Sequence, residues 1–327
     1  MHEFFSQKTV LITGAAGFLG SNLAQTLLAA GAHVIGVDNF ITGLQSNCAQ
    51  LQKKPNFTFI EADVNSDPAS YLPTNLQIDC VLHFASPASP PRYQAHPIET
   101  YLVNSLATHA LLQYLKSQHP AARFLFASTS EVYGDPAVHP QTESYWGNVN
   151  PNGLRSCYDE AKRLGETICG VHSRDFGMDV RIVRIFNTYG PNMNPLDGRI
   201  MPEFIAAELA NKNAVIFGDG SQTRSYCFVS DLVEGILLLF AHPEGAGKTV
   251  NLGNPTEYTV LETAKIIHDT IRPGVPFTPE FKPLPSDDPL KRRPDISLAR
   301  ELLGWEPRIS LEAGLPATIE FFASLQR

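Results

Sequence analysis

The string Thr13-Gly14-Ala-Ala-Gly17-Phe-Leu-Gly20 constrains this chain more than any other feature. It leaves an apolar stretch at 8–13 and runs directly into an amphipathic stretch at 18–30. Glycine at 14 permits a tight turn, and at 17 it lets the backbone approach a pyrophosphate. Glycine at 20 lets a helix pack closely on a sheet, while the backbone N–H groups of Phe18, Leu19 and Gly20 face the anion. Three spaced glycines alone also occur in plain turns. The strand-to-helix setting is what points to a phosphate cradle.

The rest of the chain repeats that alternation. Strands are expected at 8–13, 33–38, 57–61, 80–84, 123–127 and 180–185, with helices at 18–30, 98–117 and 157–175. This is the pattern of an α/β doubly wound parallel sheet, a Rossmann arrangement. Beyond Phe186 the texture changes. A Pro-, Asn- and Gly-rich loop at 187–199 precedes a helix at 200–211, a strand at 214–217, a helix at 231–240 and a strand at 249–252. A proline-laden stretch at 273–294 leads into helices at 297–303 and 311–325. The expected organisation is a dinucleotide-binding domain, 1–190 plus 228–253, with a smaller discontinuous α/β substrate lobe, 191–227 plus 254–327.

Composition narrows the partners. The 327 residues are 43% hydrophobic and carry a net charge of -8, which argues against general nucleic-acid or anionic-membrane binding. Five scattered cysteines without a C-x-x-C pair fit reduced thiols. The longest apolar run, 235–241, is far short of a membrane span, and the first strand begins too early for a signal peptide. A cytoplasmic protein is expected. The ten histidines show no metal-ligand spacing, so no metal is expected, and His83 on a buried strand reads as a packed residue.

Asp38 ends the second strand, where a carboxylate can bind the adenosine ribose hydroxyls and would repel a 2′-phosphate. That favours NAD over NADP; the plainer alternative is a solvated strand-end acid. Asn39, Phe40 and Ala85, at or after strand ends, are further expected cofactor contacts, and Asp63-Val64 after the third strand resembles an adenine-edge contact, although Asp at a strand end is common. Tyr158 and Lys162 stand four apart in a helical stretch and share one face. A phenol of pKa about 10 cannot act as a base near neutrality unless a neighbouring cation stabilises phenolate. Thr129, in Ser128-Thr-Ser-Glu131 after the fifth strand, can hydrogen-bond a reacting oxygen beside Tyr158. Together these residues resemble the Ser/Thr–Tyr–Lys set of the short-chain dehydrogenases/reductases.

Four segments carry a closer resemblance: His83-Phe-Ala-Ser-Pro-Ala-Ser-Pro-Pro-Arg-Tyr93, Ser128-Thr-Ser-Glu-Val-Tyr-Gly-Asp135, Arg155-Ser-Cys-Tyr-Asp-Glu-Ala-Lys-Arg163 and Asp287-Asp-Pro-Leu-Lys-Arg-Arg-Pro-Asp295. They are similar to those of the UDP-glucuronate decarboxylase (UDP-xylose synthase) family, in the extended branch of that superfamily. Arg184-Ile-Phe-Asn-Thr-Tyr-Gly-Pro191 and Gly220-Ser-Gln-Thr-Arg-Ser225 match too, but relatives share them more widely. Ala161 departs from the family's usual Gly.

The resemblance implies oxidation at C4 by NAD, loss of the C6 carboxylate from the resulting 4-keto sugar, protonation at C5 and re-reduction to UDP-xylose. It assigns Tyr158 as base, with Lys162 and Thr129 in support. The related 4,6-dehydratases carry Asp-Glu where this chain has Ser130-Glu131, so the acid that expels a C6 hydroxyl is missing. Glu131 is then free for protonation near C5, directly or through water; acting as an acid would require a raised pKa, and the plainer alternative is a structural hydrogen bond. Arg292 is expected to face the sugar carboxylate, assist protonation or bind the diphosphate, and Arg224 to bind the diphosphate. Asn187, Arg199 and Arg92 are further substrate-binding candidates. Lys291 and Arg293 beside Arg292 also fit a basic surface turn. Helices 98–117 and 157–175 resemble a pair that relatives pack into a homodimer. The alternatives are another UDP-uronate enzyme (a 4-epimerase, a 4,6-dehydratase, or one forming apiose or a 4-keto pentose) and a non-catalytic NAD-binding sensor.

Overall fold

In the computed structural model, which describes residues 2–283 and 292–325, seven strands form one parallel sheet. They are β1 (Thr9–Thr13), β2 (His33–Asp38), β3 (Phe57–Glu61), β4 (Cys80–His83), β5 (Arg123–Thr129), β6 (Val180–Ile185) and β7 (Thr249–Leu252). Their spatial order is β7-β6-β5-β4-β1-β2-β3. The order reverses between β1 and β4, which opens a crevice at the carboxyl ends of the strands. Both Gly14, after β1, and Phe84, after β4, face that crevice.

Successive residues of β1 serve opposite faces, as strand geometry requires. Val10 and Ile12 join Leu23, Leu27, Ile236, Phe240 and Trp305 on one side. Leu11 joins Leu111, Leu112, Leu115, Phe124 and Phe126 on the other. The helices Phe18–Ala29 and Val229–Ala241 cover the first face; Leu106–Gln118 and Ser156–Phe176 cover the second. A third core holds Met201, Phe204, Ile205, Ile216, Tyr226, Ala264, Ile267, Leu315 and Phe322.

The structure corrects several expectations. The helix expected at 98–117 is two, Pro97–Asn104 and Leu106–Gln118, broken at Ser105 (φ -117°, ψ -75°). There Ser105 Oγ donates to the Tyr101 carbonyl at 2.5 Å and Thr108 Oγ1 to that of Asn104 at 3.0 Å, so side chains compete for helix acceptors. Gly165, on the facing Ser156–Phe176 helix, marks the close approach: a Cβ there would lie 2.8 Å from the Asn104 carbonyl oxygen. Short helices at Gln45–Leu51 and Pro90–Ala95 were not expected, and the loop at 187–199 contains a strand, Thr188–Tyr189, paired with Cys227–Phe228. Within 254–327, the helix Ser297–Leu303 packs on the sheet side rather than in the third core. Trp305 anchors it there, donating from Nε1 to the Asp231 carbonyl at 2.9 Å. Positions 287–291 of the basic segment, Lys291 included, lie outside the described residues. Among the described residues, no helix is long and apolar enough to cross a membrane.

Candidate active site

The glycine loop is shaped by contacts that exclude side chains. Gly14 has φ +75°, and a Cβ there would lie 2.8 Å from the Ala85 nitrogen. At Gly20 a Cβ would come within 2.0 Å of the Gly14 carbonyl oxygen. The helix Phe18–Ala29 starts at Gly17 without a side-chain cap, so its first-turn N–H groups remain available to an anion. Asp38 closes the loop from β2: its carboxylate accepts from Ala16 N at 2.9 Å and Phe40 N at 2.8 Å. Burial raises its pKa, and those backbone donors work against the rise. A pyrophosphate with a ribose beside Asp38 fits this cradle.

A cavity of about 570 Å³ runs from that loop along the ends of β5 and β6 into the third core. It brings together Gly14, Gly17, Phe18, Leu19, Gly20, Thr129, Glu131, Tyr158, Lys162, Asn187, Arg92, Arg199, Arg224 and Arg292. Its size suits a small-molecule ligand. Asp38, Asn39, Phe40, Asp63, Val64 and Ala85 do not line it. They lie at or just after the ends of β2, β3 and β4. There Asp63 is exposed and accepts from Asn65 N at 2.9 Å, while Val64 is buried.

Tyr158 and Lys162 project from one face of the Ser156–Phe176 helix. Lys162 Nζ lies 5.7 Å from the Tyr158 ring centroid and donates to the Ala127 carbonyl at 2.6 Å. Burial pulls the Lys162 pKa down to about 7 and pushes the Tyr158 phenol up, against the lowering effect of its hydrogen bond with Thr129. Thr129 Oγ1 also accepts from Glu131 N at 3.2 Å, which fixes the turn after β5. His83 is packed, with Nδ1 2.6 Å from Thr13 Oγ1 and burial holding its pKa near 3.

Glu131 sits between two arginines from distant segments. Its carboxylate lies 3.2 Å from Arg292 Nη1 and 3.3 Å from Arg292 Nη2, and it accepts a short hydrogen bond from Arg155 Nη2. Burial alone would raise its pKa, but Arg292, Arg155 and Arg224 outweigh burial and hold it below the usual carboxylate value. The raised pKa that an acid role demands is therefore not what the site provides. Nearby Asp159 moves the other way, raised by burial and by the charge of Glu131. Arg292 also donates to the Ser130 carbonyl at 2.5 Å and to that of Gly134 at 3.1 Å. Its Nε is buried with no partner among the described residues.

The remaining candidates are held less deeply. Arg224 is buried and donates to the Thr223 carbonyl at 2.9 Å; Arg92 donates to that of Leu196 at 2.8 Å. Arg199 is paired with Asp197. Arg293 reaches Glu257 at 3.7 Å, away from the cavity lining. Two residues escaped the sequence reading. Tyr93 stacks on Tyr158 with ring centroids 5.0 Å apart and planes at 4°. Arg155, three positions before Tyr158, could have been found from helical spacing.

A switch-point crevice with Thr, Tyr and Lys over the β5 edge places the protein among the extended short-chain dehydrogenases/reductases. Within that class the chain belongs to the NAD dependent epimerase/dehydratase family, whose model matches residues 10–253. It is 49% identical to UDP-glucuronic acid decarboxylase 4 of Arabidopsis thaliana over 96% of this chain and 68% of that protein. It is 46% identical to UDP-glucuronic acid decarboxylase 1 of Danio rerio, over 97% of this chain and 73% of that one. Among solved structures, an epimerase from Methanothermobacter thermautotrophicus superposes with a TM-score of 0.89 at 30% identity, covering 100% of this chain and 96% of that one. UDP-glucuronic acid 4-epimerase from Bacillus cereus, in complex with UDP-glucuronic acid and NAD, superposes with a TM-score of 0.83 at 28% identity. That match covers 97% of this chain and 99% of the other.

Proposed function

We propose that this protein is an NAD-dependent UDP-glucuronate decarboxylase that forms UDP-xylose. The observation that carries the reading is Arg292: a buried guanidinium in the same cavity as Tyr158, with no partner for its Nε among the described residues, held over an ionised Glu131. The names of relatives 43–49% identical over almost the whole chain support it.

In this reading the glycine loop and Asp38 hold NAD, with Lys162 at its nicotinamide ribose. Bound there, NAD supplies the hydride acceptor for C4 and later the donor that returns the hydride. Tyr158 removes the C4 hydroxyl proton, with Thr129 sharing the oxygen. The C4 ketone then stands β to the carboxylate, so the C5–C6 bond breaks, carbon dioxide leaves and the electron pair enters an enolate. Tyr158 and Thr129 donate to that oxyanion. Arg292 and Arg155 orient the carboxylate before it leaves. Glu131, ionised, keeps both arginines in place, and the proton that C5 needs arrives through water. Arg224 and Asn187 face the diphosphate, Arg199 and Arg92 close the cavity rim, and the lobe of 191–227 and 254–327 receives the nucleotide.

A cytoplasmic homodimer completes the proposal. Ile98, Tyr101, Leu106, Leu164 and Phe176 are exposed on the paired helices, an apolar face that a second copy would cover. The test is to incubate purified protein with UDP-glucuronate and NAD and identify the product by mass and proton NMR. UDP-xylose without added reductant is expected. UDP-galacturonate of unchanged mass would assign a 4-epimerase instead, the activity named for the Bacillus cereus neighbour.

A further inference from the structure

We propose that Gln141 is a positioning residue for Arg292, an inference that rests on the decarboxylase reading above. Arg292 belongs to no helix or strand. Its side chain is nevertheless almost fully buried and aimed at three acceptors: the Ser130 and Gly134 carbonyls and the Glu131 carboxylate. Something must fix its backbone: Ser225 Oγ donates to the Arg292 carbonyl at 3.3 Å, and the hydrogen bonds of the residues that follow, Arg293 and Asp295, converge on Gln141.

Gln141 forms a parallel bridge with Pro294. Its backbone N–H donates to the Arg293 carbonyl at 2.9 Å, and its own carbonyl accepts from Asp295 N at 2.8 Å. Its side-chain Oε1 accepts from Arg293 N at 3.0 Å, while Nε2 donates to the Val138 carbonyl at 2.8 Å. Proline at 294 has no N–H to satisfy, so this short ladder is complete. Asn251, at the end of β7, donates to the carbonyls of both Gln141 (3.0 Å) and Asp295 (3.2 Å) and ties the pair to the sheet. Gln141 is 0% exposed although Val138 and His139 just before it are exposed. A buried amide is costly unless both ends are bonded, and both are. The amide therefore sets where residue 293 begins, and with it where the Arg292 side chain starts its reach into the cavity.

The test compares Gln141→Met, which keeps the length and loses both side-chain bonds, with Gln141→Glu, which keeps an acceptor for Arg293 N. For UDP-glucuronate turnover, Gln141→Met is expected to lower kcat by about 10- to 100-fold, the scale of a small misplacement of a reacting group. KM should change less. In an Arg292→Lys background the same substitution should lower kcat only about 2-fold, because the residue through which it acts is already altered. Gln141→Glu should recover activity as pH falls, since the protonated carboxyl can both accept from Arg293 N and donate to the Val138 carbonyl. Should Gln141→Met fail to fold, the Gln141→Glu pH profile alone decides. An unchanged kcat, additive effects with Arg292→Lys, or a Gln141→Glu profile parallel to wild type would overturn the proposal. A wild-type protein that forms no UDP-xylose would instead remove the decarboxylase reading on which it stands.

Discussion

Tyr158 and Lys162 reach the cavity from adjacent turns of one helix, whereas Glu131 and Arg292 meet there from positions 161 residues apart in the chain. The first pair is tuned by burial, which pushes the phenol up and the ammonium down. The second is tuned by charge, with arginines overcoming the burial of Glu131. The local pair can serve any sugar oxidised at C4. In the proposed reading, the long-range cluster is where a carboxylate is told from a hydroxymethyl group, so the two halves would divide hydride chemistry from substrate choice.

The comparison breaks most directly at Tyr158. Tyr158→Phe is expected to lower turnover by about 10³-fold, within the range for general acid–base residues, while nucleotide binding measured by calorimetry stays near wild type. Residual turnover within a few-fold of wild type would remove Tyr158 as the base.

Lys162 sharpens the contrast through stability. Its folded pKa, about 7, lies below the ordinary 10.5, so between those values the unfolded chain binds the extra proton and wild-type stability rises with pH. Below pH 7 the buried ammonium costs the most. Lys162→Met, inactive, should therefore unfold later than wild type without added cofactor, by on the order of 3 kcal/mol at pH 6. Denaturant titrations should show the gap closing toward pH 10; a gap that ignores pH would contradict this account of Lys162.

On the other side, Arg292→Ala should reduce decarboxylation about 10²-fold. The rise in melting temperature on adding NAD should be unchanged, because the glycine loop is untouched. Loss of that rise would mean that the two halves are not separable. The smallest effect is expected at Ala161, on the helix between Tyr158 and Lys162. Ala161→Gly should destabilise by about 1 kcal/mol and leave the product the same.

The sequence made the local half legible. The glycine spacing, the Tyr158–Lys162 interval and Thr129 at the end of β5 depend on periodicity, which a single chain displays directly. The strands followed for the same reason, buried on both faces and rich in Val, Ile and Leu. What escaped depended on tertiary approach. The break at Ser105 arises where Gly165 lets a facing helix come close. The packing of the Ser297–Leu303 helix on the sheet side was not legible, because nothing near Trp305 in sequence marks the Asp231 carbonyl as its partner. Glu131 was legible as a site residue but not as an ionised one, since the arginines that set its charge lie 24 and 161 positions away. Gln141 gave no signal at all, because most of its partners are backbone atoms and those that place Arg293 lie 152 positions away.

The most direct measurement is turnover of UDP-glucuronate deuterated at C4, with unlabelled NAD and NMR analysis of the product. The account requires that the hydride removed from C4 return there before the cofactor leaves. UDP-xylose bearing deuterium at C4, with no net accumulation of NADH, is the expected result. UDP-xylose with hydrogen at C4, or a uronate product that keeps its carboxylate, would contradict it.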